Sequence, residues 1–261
     1  MSAGITIFSQ KAFHTFEQCP LKFRYVYRDG LAWLREDHFR KNSAQWAKRG
    51  RDFHLMAERY FSRLPLEKFP SAFPEGQKWL TSLREFLPLR EEEIYFPEHQ
   101  VISEGEISLV ATFDLVRLHG GRITLYDWKV GERPLKPHVL RKNWQTIVYL
   151  VVAEKESMRY FGIEPKGLSL VYWNPVIPDS PVTLTPTSAS IKKYQYRIHE
   201  IASQCKDVLD GGEVPPNTDH CPMCSYRYCC TGEPVGEEIF EQDEVSRDDE
   251  IQWDEITEIP F

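Results

Sequence analysis

The chain has 261 residues, 41% of them hydrophobic and 27% charged, which is typical of a globular protein, and no apolar run is long enough to span a membrane. The N-terminal sequence MSAGITIFSQKAF has neither the basic segment nor the apolar core of a secretory signal, so we expect a cytoplasmic protein with reduced cysteines and no membrane partner. The formal net charge of −7 does not exclude nucleic-acid binding, because residues 231–261 contribute −11, from twelve acidic side chains and Arg247, and leave a body of +4.

The predicted elements alternate between helices and strands. In chain order they are a helix capped by Ser9 that continues through the Cys19-Pro20 step to Tyr27, helices at 42–61 and 76–86, strands between 94 and 127, a helix at 143–160, strands in GLSLVYW and PVTLTP, and a helix at 188–209. This order predicts an α/β fold with a mixed central sheet flanked by helices.

Two β-rich runs each carry an acidic residue in the stretch LVATFDLVRLHGGRITLYDWKV, with a turn at Gly120-Gly121 between them. Asp114 and Asp127 would therefore project from adjacent strands, where two carboxylates can hold a hard divalent cation. Lys129 lies two residues beyond Asp127 and so on the same strand face, because side chains alternate along a strand. The pattern predicts metal-dependent cleavage of a phosphodiester, and the alternative is an ordinary solvent-exposed hairpin.

The cysteines predict a second metal site. The segment CPMCSYRYCC places four of them close together: Cys221, Cys224, Cys229 and Cys230. The first two have C-x2-C spacing, Cys230 is the third candidate ligand, and Cys19 is the candidate for the fourth. Four thiolates suit either zinc or an iron–sulfur cluster. Cys229 could replace Cys230, Cys205 is expected to be a buried small side chain, and the alternative is a group of reduced cysteines without a metal.

The order of these features resembles one nuclease family. The matching features are a Ser9-x-x-x-Phe13 helix that ends in Cys19-Pro20, Gly50-x-x-x-His54, Asp114, Asp127-x-Lys129, Gln145-x-x-x-Tyr149 and C-x2-C-x5-C. This order is similar to that of the RecB-type branch of the PD-(D/E)xK nucleases, above all to its iron–sulfur subset, which includes the CRISPR-associated adaptation nuclease and the nuclease domain of AddB. The resemblance extends from about Phe8 to Cys230 and implies a restriction-endonuclease-like fold over residues 1–230.

The resemblance also implies a role for each matching residue. The groups that would bind Mg²⁺ or Mn²⁺ are His54, Asp114, Asp127 and the backbone carbonyl of Trp128. Lys129 would orient the attacking water and offset negative charge in the transition state. Gln145 and Tyr149, one helical turn apart, would support the site and contact DNA, unless they are only packing residues. Glu58 and Glu98 are weaker candidates and are left out of the catalytic set.

For the cysteines, the resemblance favours a [4Fe–4S] cluster over zinc and joins the N- and C-terminal segments through it. Its ligands would be Cys19, Cys221, Cys224 and Cys230. The implied function is a DNA nuclease, an exonuclease on single-stranded DNA or DNA ends, in repair, recombination or CRISPR adaptation. The alternatives are a non-catalytic DNA-binding or scaffold subunit of a helicase–nuclease or adaptation complex, and a zinc-stabilised interaction module. The intact carboxylates and lysine argue against both.

The last segment, residues 231–261, is strongly acidic and poor in apolar residues, so we expect a disordered tail. Its tip, Glu258 to Phe261, resembles that of bacterial single-stranded DNA-binding proteins, which docks on DNA-maintenance proteins. The resemblance implies that Ile259, Pro260 and Phe261 bind a protein partner, with the phenylalanine in an apolar pocket and its carboxylate against a basic residue. The alternatives are competition with DNA for the enzyme's own groove and a solubilising role.

Overall fold

The computed structural model describes residues 7–31, 41–66 and 74–232. The helices are α1 (Gln10–Gln18), α2 (Pro20–Tyr27), α3 (Lys41–Phe61), α4 (Gly76–Phe86), α5 (Pro137–Leu140), α6 (Trp144–Phe161), α7 (Ser188–Leu209) and α8 (Arg227–Thr231), with a 3-10 helix at Thr218–Met223. The strands are β1 (Ile7–Phe8), β2 (Ile94–Ser103), β3 (Ser108–His119), β4 (Arg122–Trp128), β5 (Leu168–Trp173) and β6 (Val182–Leu184). Within the described ranges, no helix is both long and apolar enough to cross a membrane.

The strands form one mixed sheet in the order β1–β3–β4–β5–β6, with β2 on the other edge of β3. The strands β2, β3 and β4 form an antiparallel meander, whereas β4 and β5 are parallel and are connected by α6. The first strand pairs parallel with β3, and β6 pairs antiparallel with β5. This arrangement confirms the predicted α/β fold with a mixed sheet between helices.

A tight turn sets the register between β3 and β4. Gly120 and Gly121 have φ values of 56° and 77°, so both are left-handed. Two successive left-handed residues form the hairpin turn whose twist matches that of the flanking strands, and glycine adopts this conformation without steric cost. The register that the turn sets, continued along the hairpin, places Asp114 opposite Asp127.

The edge of β3 that faces β4 changes partner along its length. Ser108 and Leu109 pair with β1, and the pairing with β4 begins at Leu115. Among the described residues, no strand pairs with this edge over residues 110–114, a stretch that we call the β3 gap. Backbone groups in the gap need partners other than a strand, since buried backbone polar groups are costly to leave unpaired. Side chains can therefore enter the sheet edge here.

Apolar side chains pack on both faces of the sheet. One core includes Leu125 of β4 and Trp144 of α6, together with residues of α1 and α7. The other includes Trp128 of β4 and Phe53 of α3, together with residues of α4. Because side chains alternate along β4, Asp127 lies on the same face as Leu125, towards α6. The sheet therefore delivers Asp127 to one helical layer while its neighbour Trp128 anchors the strand in the other.

Cys19 separates two helices that were predicted to be continuous. Its backbone is extended, with φ −161° and ψ 114°, and Pro20 is the first residue of α2. Proline suits a helix start because its missing N–H would have no intrahelical acceptor there. The prediction that the helix continues through this step was wrong, whereas the predicted Ser9-x-x-x-Phe13 helix does end at Cys19-Pro20. The break holds Cys19 at the junction with its side chain buried.

Candidate active site

Three carboxylates lie in one row across adjacent strands. The pairs on either side place Glu98 of β2 opposite Asp114 of β3, and the hairpin register places Asp127 of β4 opposite Asp114 on the other side. Residues directly opposite each other in an antiparallel pair project from the same face. Asp114 and Asp127 are 5% and 1% exposed, so their charges are almost fully removed from water.

Glu98 reaches this row through an unusual backbone conformation. Its φ is 43°, in the left-handed region that residues with a side chain rarely adopt. Its Oε1 atom is buried and has no hydrogen-bond partner among the described residues. Strain and an unsatisfied buried carboxylate oxygen each cost free energy, and their coincidence is typical of a functional position. The sequence made Glu98 only a weaker candidate outside the catalytic set, because only the strand register shows that it faces Asp114.

His54 of α3 completes a compact group with two of the carboxylates. Its Nδ1 atom lies 3.6 Å from Glu98 Oε1 and 3.6 Å from Asp114 Oδ1. The ligand atoms of these three residues all lie within 4.8 Å of one another, whereas Glu58 is not part of the group. Imidazole and carboxylate groups are suitable ligands for a divalent cation.

The backbone carbonyl of Trp128 orients the histidine. His54 Nε2 lies 3.1 Å from this oxygen, and only a protonated Nε2 can donate to a carbonyl. Metal-binding histidines commonly use one ring nitrogen in this way, which fixes the other as the ligand atom. This contact directs Nδ1 towards Glu98 and Asp114. The Trp128 carbonyl, which was predicted to bind the metal, therefore accepts a hydrogen bond from His54. Its oxygen retains a second lone pair.

The charges of the group favour a bound cation. Burial raises the pKa of Asp114 and of Asp127, more than the neighbouring His54 and Lys129 lower them. Burial by itself lowers the pKa of His54, but the carboxylates of Asp114, Glu98 and Asp127 raise it to about 9. The carboxylates thus hold a proton on the histidine, a role that a divalent cation can take over. The carboxylates of this group suit Mg²⁺ or Mn²⁺.

Lys129 lies beside Asp127, as the sequence predicted. It follows the last residue of β4, and its N–H donates to the Trp173 carbonyl at 2.9 Å, so the strand geometry continues to this residue. Its Nζ atom is 2.8 Å from Asp127 Oδ2. Its side chain is 3% exposed, so the ammonium group contacts protein atoms instead of water. A buried positive charge in a fixed position beside the group of His54, Glu98 and Asp114 can attract a phosphate more strongly than a solvated charge can.

Gln145 of α6 bridges the lysine and the carboxylate. Its Oε1 accepts from Lys129 Nζ at 2.7 Å, and its Nε2 donates to Asp127 Oδ1 at 2.7 Å and to the Tyr149 hydroxyl at 3.2 Å. Tyr149 in turn donates to the carbonyl of Thr112 in the β3 gap. Both side chains are almost fully buried. Gln145 and Tyr149 therefore stabilise the site through hydrogen bonds. They expose little surface for the DNA contact that was expected of them.

Cys19, the predicted fourth ligand of the cysteine site, lies against the C-terminal segment. Cys19 Sγ accepts from the backbone N–H of Asn217 at 3.4 Å, and Cys221 Sγ lies 3.6 Å from the Asn217 carbonyl. Cys230 Sγ lies 3.9 Å from the Tyr25 hydroxyl. None of the six cysteines, all in the described part of the chain, forms a disulfide. Cys205 is fully buried in α7, as predicted.

Neighbouring sulfurs affect the acidity of Cys230. Burial raises the pKa of its thiol, and so do the nearby Cys19, Cys221 and Cys229. Cys224 lies between Cys221 and Cys230 in the chain, at the end of the 3-10 helix. The structure thus brings the N-terminal cysteine to the C-terminal group.

The residues of the predicted partner-binding tip, Ile259, Pro260 and Phe261, lie outside the described residues, as does the chain from 233 onwards.

A model of the PD-(D/E)XK nuclease superfamily matches residues 7–231. The chain belongs to this superfamily. It is therefore a nuclease, and the divalent metals that the superfamily uses are consistent with the group of His54, Glu98 and Asp114. No curated protein matches the sequence.

Two solved structures resemble this nuclease. A "Putative exonuclease" from Eubacterium rectale has 14% sequence identity and a TM-score of 0.54, over 90% of this chain and 91% of that chain. SSO0001 has 14% identity and a TM-score of 0.32, over 70% of this chain and 82% of that chain. The first likeness supports the restriction-endonuclease-like fold of the mixed sheet and its flanking helices.

We expect Glu98→Gln to weaken Mn²⁺ binding by about tenfold or more, because it removes one charge from the ligand group while keeping the side-chain size. Isothermal titration calorimetry of the metal-free protein with Mn²⁺ measures this change. Glu104→Gln is the matched control, since Glu104 is exposed in the turn that follows β2. Wild-type affinity in both variants would remove Glu98 from the metal site.

Proposed function

We propose that the protein is a divalent-metal-dependent DNA exonuclease that acts on single-stranded DNA or DNA ends, in repair, recombination or CRISPR adaptation. One observation carries this proposal. The carboxylates of Asp114 and Asp127 converge next to His54, and Lys129 lies 2.8 Å from Asp127. Buried acids, an imidazole and a fixed lysine side by side suit hydrolysis of a phosphodiester better than they suit a scaffold role.

The ligand group would consist of His54, Glu98, Asp114, Asp127 and the free lone pair of the Trp128 carbonyl. Bound Mg²⁺ or Mn²⁺ would polarise a phosphoryl oxygen and lower the pKa of a bound water. Lys129 would orient the attacking water and stabilise the negative charge that develops on the phosphate. Gln145 would keep the lysine at its working position, because its amide accepts from Lys129 and donates to Asp127.

The charge of the segment between Lys129 and Gln145 supports the binding of a polyanionic substrate. It has one exposed acid, Glu132, and four exposed cations: Arg133, Lys136, Arg141 and Lys142. Its backbone is anchored by hydrogen bonds from Asn174 to the Gly131 carbonyl, from Thr146 to the Leu140 carbonyl and from Arg197 to the Lys142 carbonyl. Cations on an anchored backbone beside the site suit the phosphates of a bound strand.

We expect the purified protein to degrade end-labelled single-stranded DNA in Mn²⁺, and we expect Asp127→Ala/Lys129→Ala to be inactive, because it removes a carboxylate and the fixed cation. Gel analysis of linear and circular single strands measures both activity and the need for an end. Exonuclease action leaves circles intact. Glu104→Gln serves as a matched active control. A wild type that binds DNA but does not cut it with any divalent metal would favour the non-catalytic subunit.

We also propose that a [4Fe–4S] cluster joins the two ends of the domain. Its ligands would be Cys19, Cys221, Cys224 and Cys230. A shared centre is supported by the contacts of Cys19 and Cys221, whose sulfurs both lie against the backbone of Asn217. The resemblance to the iron–sulfur subset of the family favours a cluster over zinc. Cys229 is exposed, and its carbonyl accepts from Tyr25, so Cys230 is the better ligand.

The cluster predicts about four iron atoms per chain after anaerobic purification, with visible absorption and little zinc. Cys230→Ala should lose the iron and lower the melting temperature, because binding to a site that the unfolded chain lacks adds to folding free energy. Metal analysis, absorption spectra and calorimetry measure these effects. Cys229→Ala and Cys205→Ala are matched controls that should keep the iron. One zinc per chain would contradict the cluster.

The tail beyond the described residues would recruit a protein partner through its last residues, Ile259, Pro260 and Phe261. This proposal is supported by the acidic sequence and by the likeness of its tip to that of bacterial single-stranded DNA-binding proteins. The aromatic side chain of Phe261 within an acidic segment would suit an apolar pocket with a basic rim.

Deletion of residues 252–261 should abolish pull-down of a protein that binds such acidic tips, because it removes the recognition unit. An internal deletion of residues 241–250 shortens the tail without changing the tip, and it should still capture the partner. A free tip peptide should compete. If the terminal deletion raises nuclease activity instead, the tail competes with DNA for the enzyme's own groove. No change in capture or activity would leave only a solubilising role.

A further inference from the structure

A contact of three residues joins α1, α6 and α7 next to the active site. Glu17 Oε2 accepts from the indole N–H of Trp144 at 2.9 Å, and Glu17 Oε1 accepts from Arg197 Nη2 at 2.8 Å. The guanidinium carbon of Arg197 lies 4.1 Å from the centre of the Trp144 ring. The tryptophan is thus held at its N–H edge by a carboxylate and on one ring face by a cation.

Trp144 is the first residue of α6, and Gln145 follows it directly. Arg197 also donates to the carbonyl of Lys142 at 3.0 Å, so the same guanidinium fixes the chain just before the helix. Between them, Asn143 caps α6 by accepting from the Gln145 N–H at 2.8 Å. The backbone just before Gln145 is therefore held at Lys142 and at Trp144 by side chains from α1 and α7.

We propose that Glu17 and Arg197 are positioning residues for Gln145. The inference rests on the proposed nuclease function, in which the Gln145 amide bridges Lys129 and Asp127. A bridge with contacts of 2.7 Å on both sides tolerates little displacement. Small shifts of groups that orient a reaction have large effects on rate.

The ion pair itself contributes little to stability. The side chains of Glu17 and Arg197 are 52% and 34% exposed, and exposed ion pairs are weakened by water and salt. A purely structural role would therefore have little consequence. The position of the pair, which reaches a buried tryptophan at the start of α6, gives it a larger effect on geometry than on folding.

The test is a double-mutant cycle in the full-length protein with Mn²⁺ and single-stranded DNA. Glu17→Gln should lower kcat by roughly threefold to tenfold and leave KM nearly unchanged, because the displaced amide acts on the reacting groups. With Gln145→Ala already present, Glu17→Gln should have no further effect, since the group that it positions is gone. Effects that multiply would overturn the proposal, and so would wild-type kcat in Gln145→Ala.

Asp29→Asn is the matched control. It removes the exposed ion pair between Asp29 and Arg24, which are 3.2 Å apart at the end of α2, and should leave kcat unchanged. The melting temperature of Glu17→Gln should remain close to that of the wild type. A large drop that accounts for the lost activity through unfolding would contradict a positioning role.

A second measurement does not depend on activity. In NMR spectra, the side-chain amide signal of Gln145 is the one that Gln145→Ala lacks. Arg197→Met, which removes the hydrogen bonds of the guanidinium, should shift or broaden this signal, whereas Asp29→Asn should not. An unchanged signal in Arg197→Met would overturn the positioning role, even in a protein that proves inactive. If Arg197→Met shifts the Gln145 signal but the wild-type protein is itself inactive, only the nuclease function is rejected and the positioning role stands.

Discussion

The burial of negative charge is the constraint on which the active site depends. Asp114 and Asp127 are almost fully removed from water, and an uncompensated buried carboxylate costs several kcal/mol. Each has therefore acquired specific partners. The backbone N–H of Trp128 donates to Asp114 Oδ2 at 2.6 Å, while Lys129 and Gln145 hold the two oxygens of Asp127. Compensation remains incomplete on the side of Glu98 and His54, and this side is the one that fits a cation.

The sheet makes room for this group by changing strand partners. Because β4 leaves β3 at Leu115 and β1 pairs only with its first residues, the β3 gap opens one edge of the central strand. There the Tyr149 hydroxyl donates to the Thr112 carbonyl, and the Asp114 side chain accepts from a backbone N–H of β4. Local loss of pairing thus lets side chains from α6 replace strand contacts, and the site is built where the sheet is least regular.

The same N-terminal helix serves both the active site and the cysteine region. Glu17 contacts Trp144 of α6, and two residues later Cys19 lies against Asn217 of the C-terminal segment. Asn217 also donates from its side chain to the Gln18 carbonyl at 2.8 Å. The C-terminal end of helix α1 is therefore fixed by contacts with parts of the chain that lie 127 and 199 residues further on. Such long-range contacts constrain the helix that supports Gln145.

Elements whose signals are local could be predicted from the sequence. The helices α3, α4, α6 and α7 begin and end within one residue of their predicted positions, because apolar periodicity and caps such as Thr187 act within a few residues. Asp114, Asp127 and Lys129 were predicted to converge, because strand alternation and the glycine turn fix their relative positions over a short hairpin.

Features that depend on distant partners could not be predicted in this way. Glu98 entered the site because β2 pairs with β3 in a register that no local pattern reveals, and its left-handed backbone has no sequence signal in a glutamate. The Trp128 carbonyl turned towards His54 because α3 packs on the sheet. Cys19 lies against Asn217 because the C-terminal segment packs on the junction between α1 and α2. Local propensity acts over a few residues, whereas register and burial are settled by contacts across the whole domain, and these contacts completed the site.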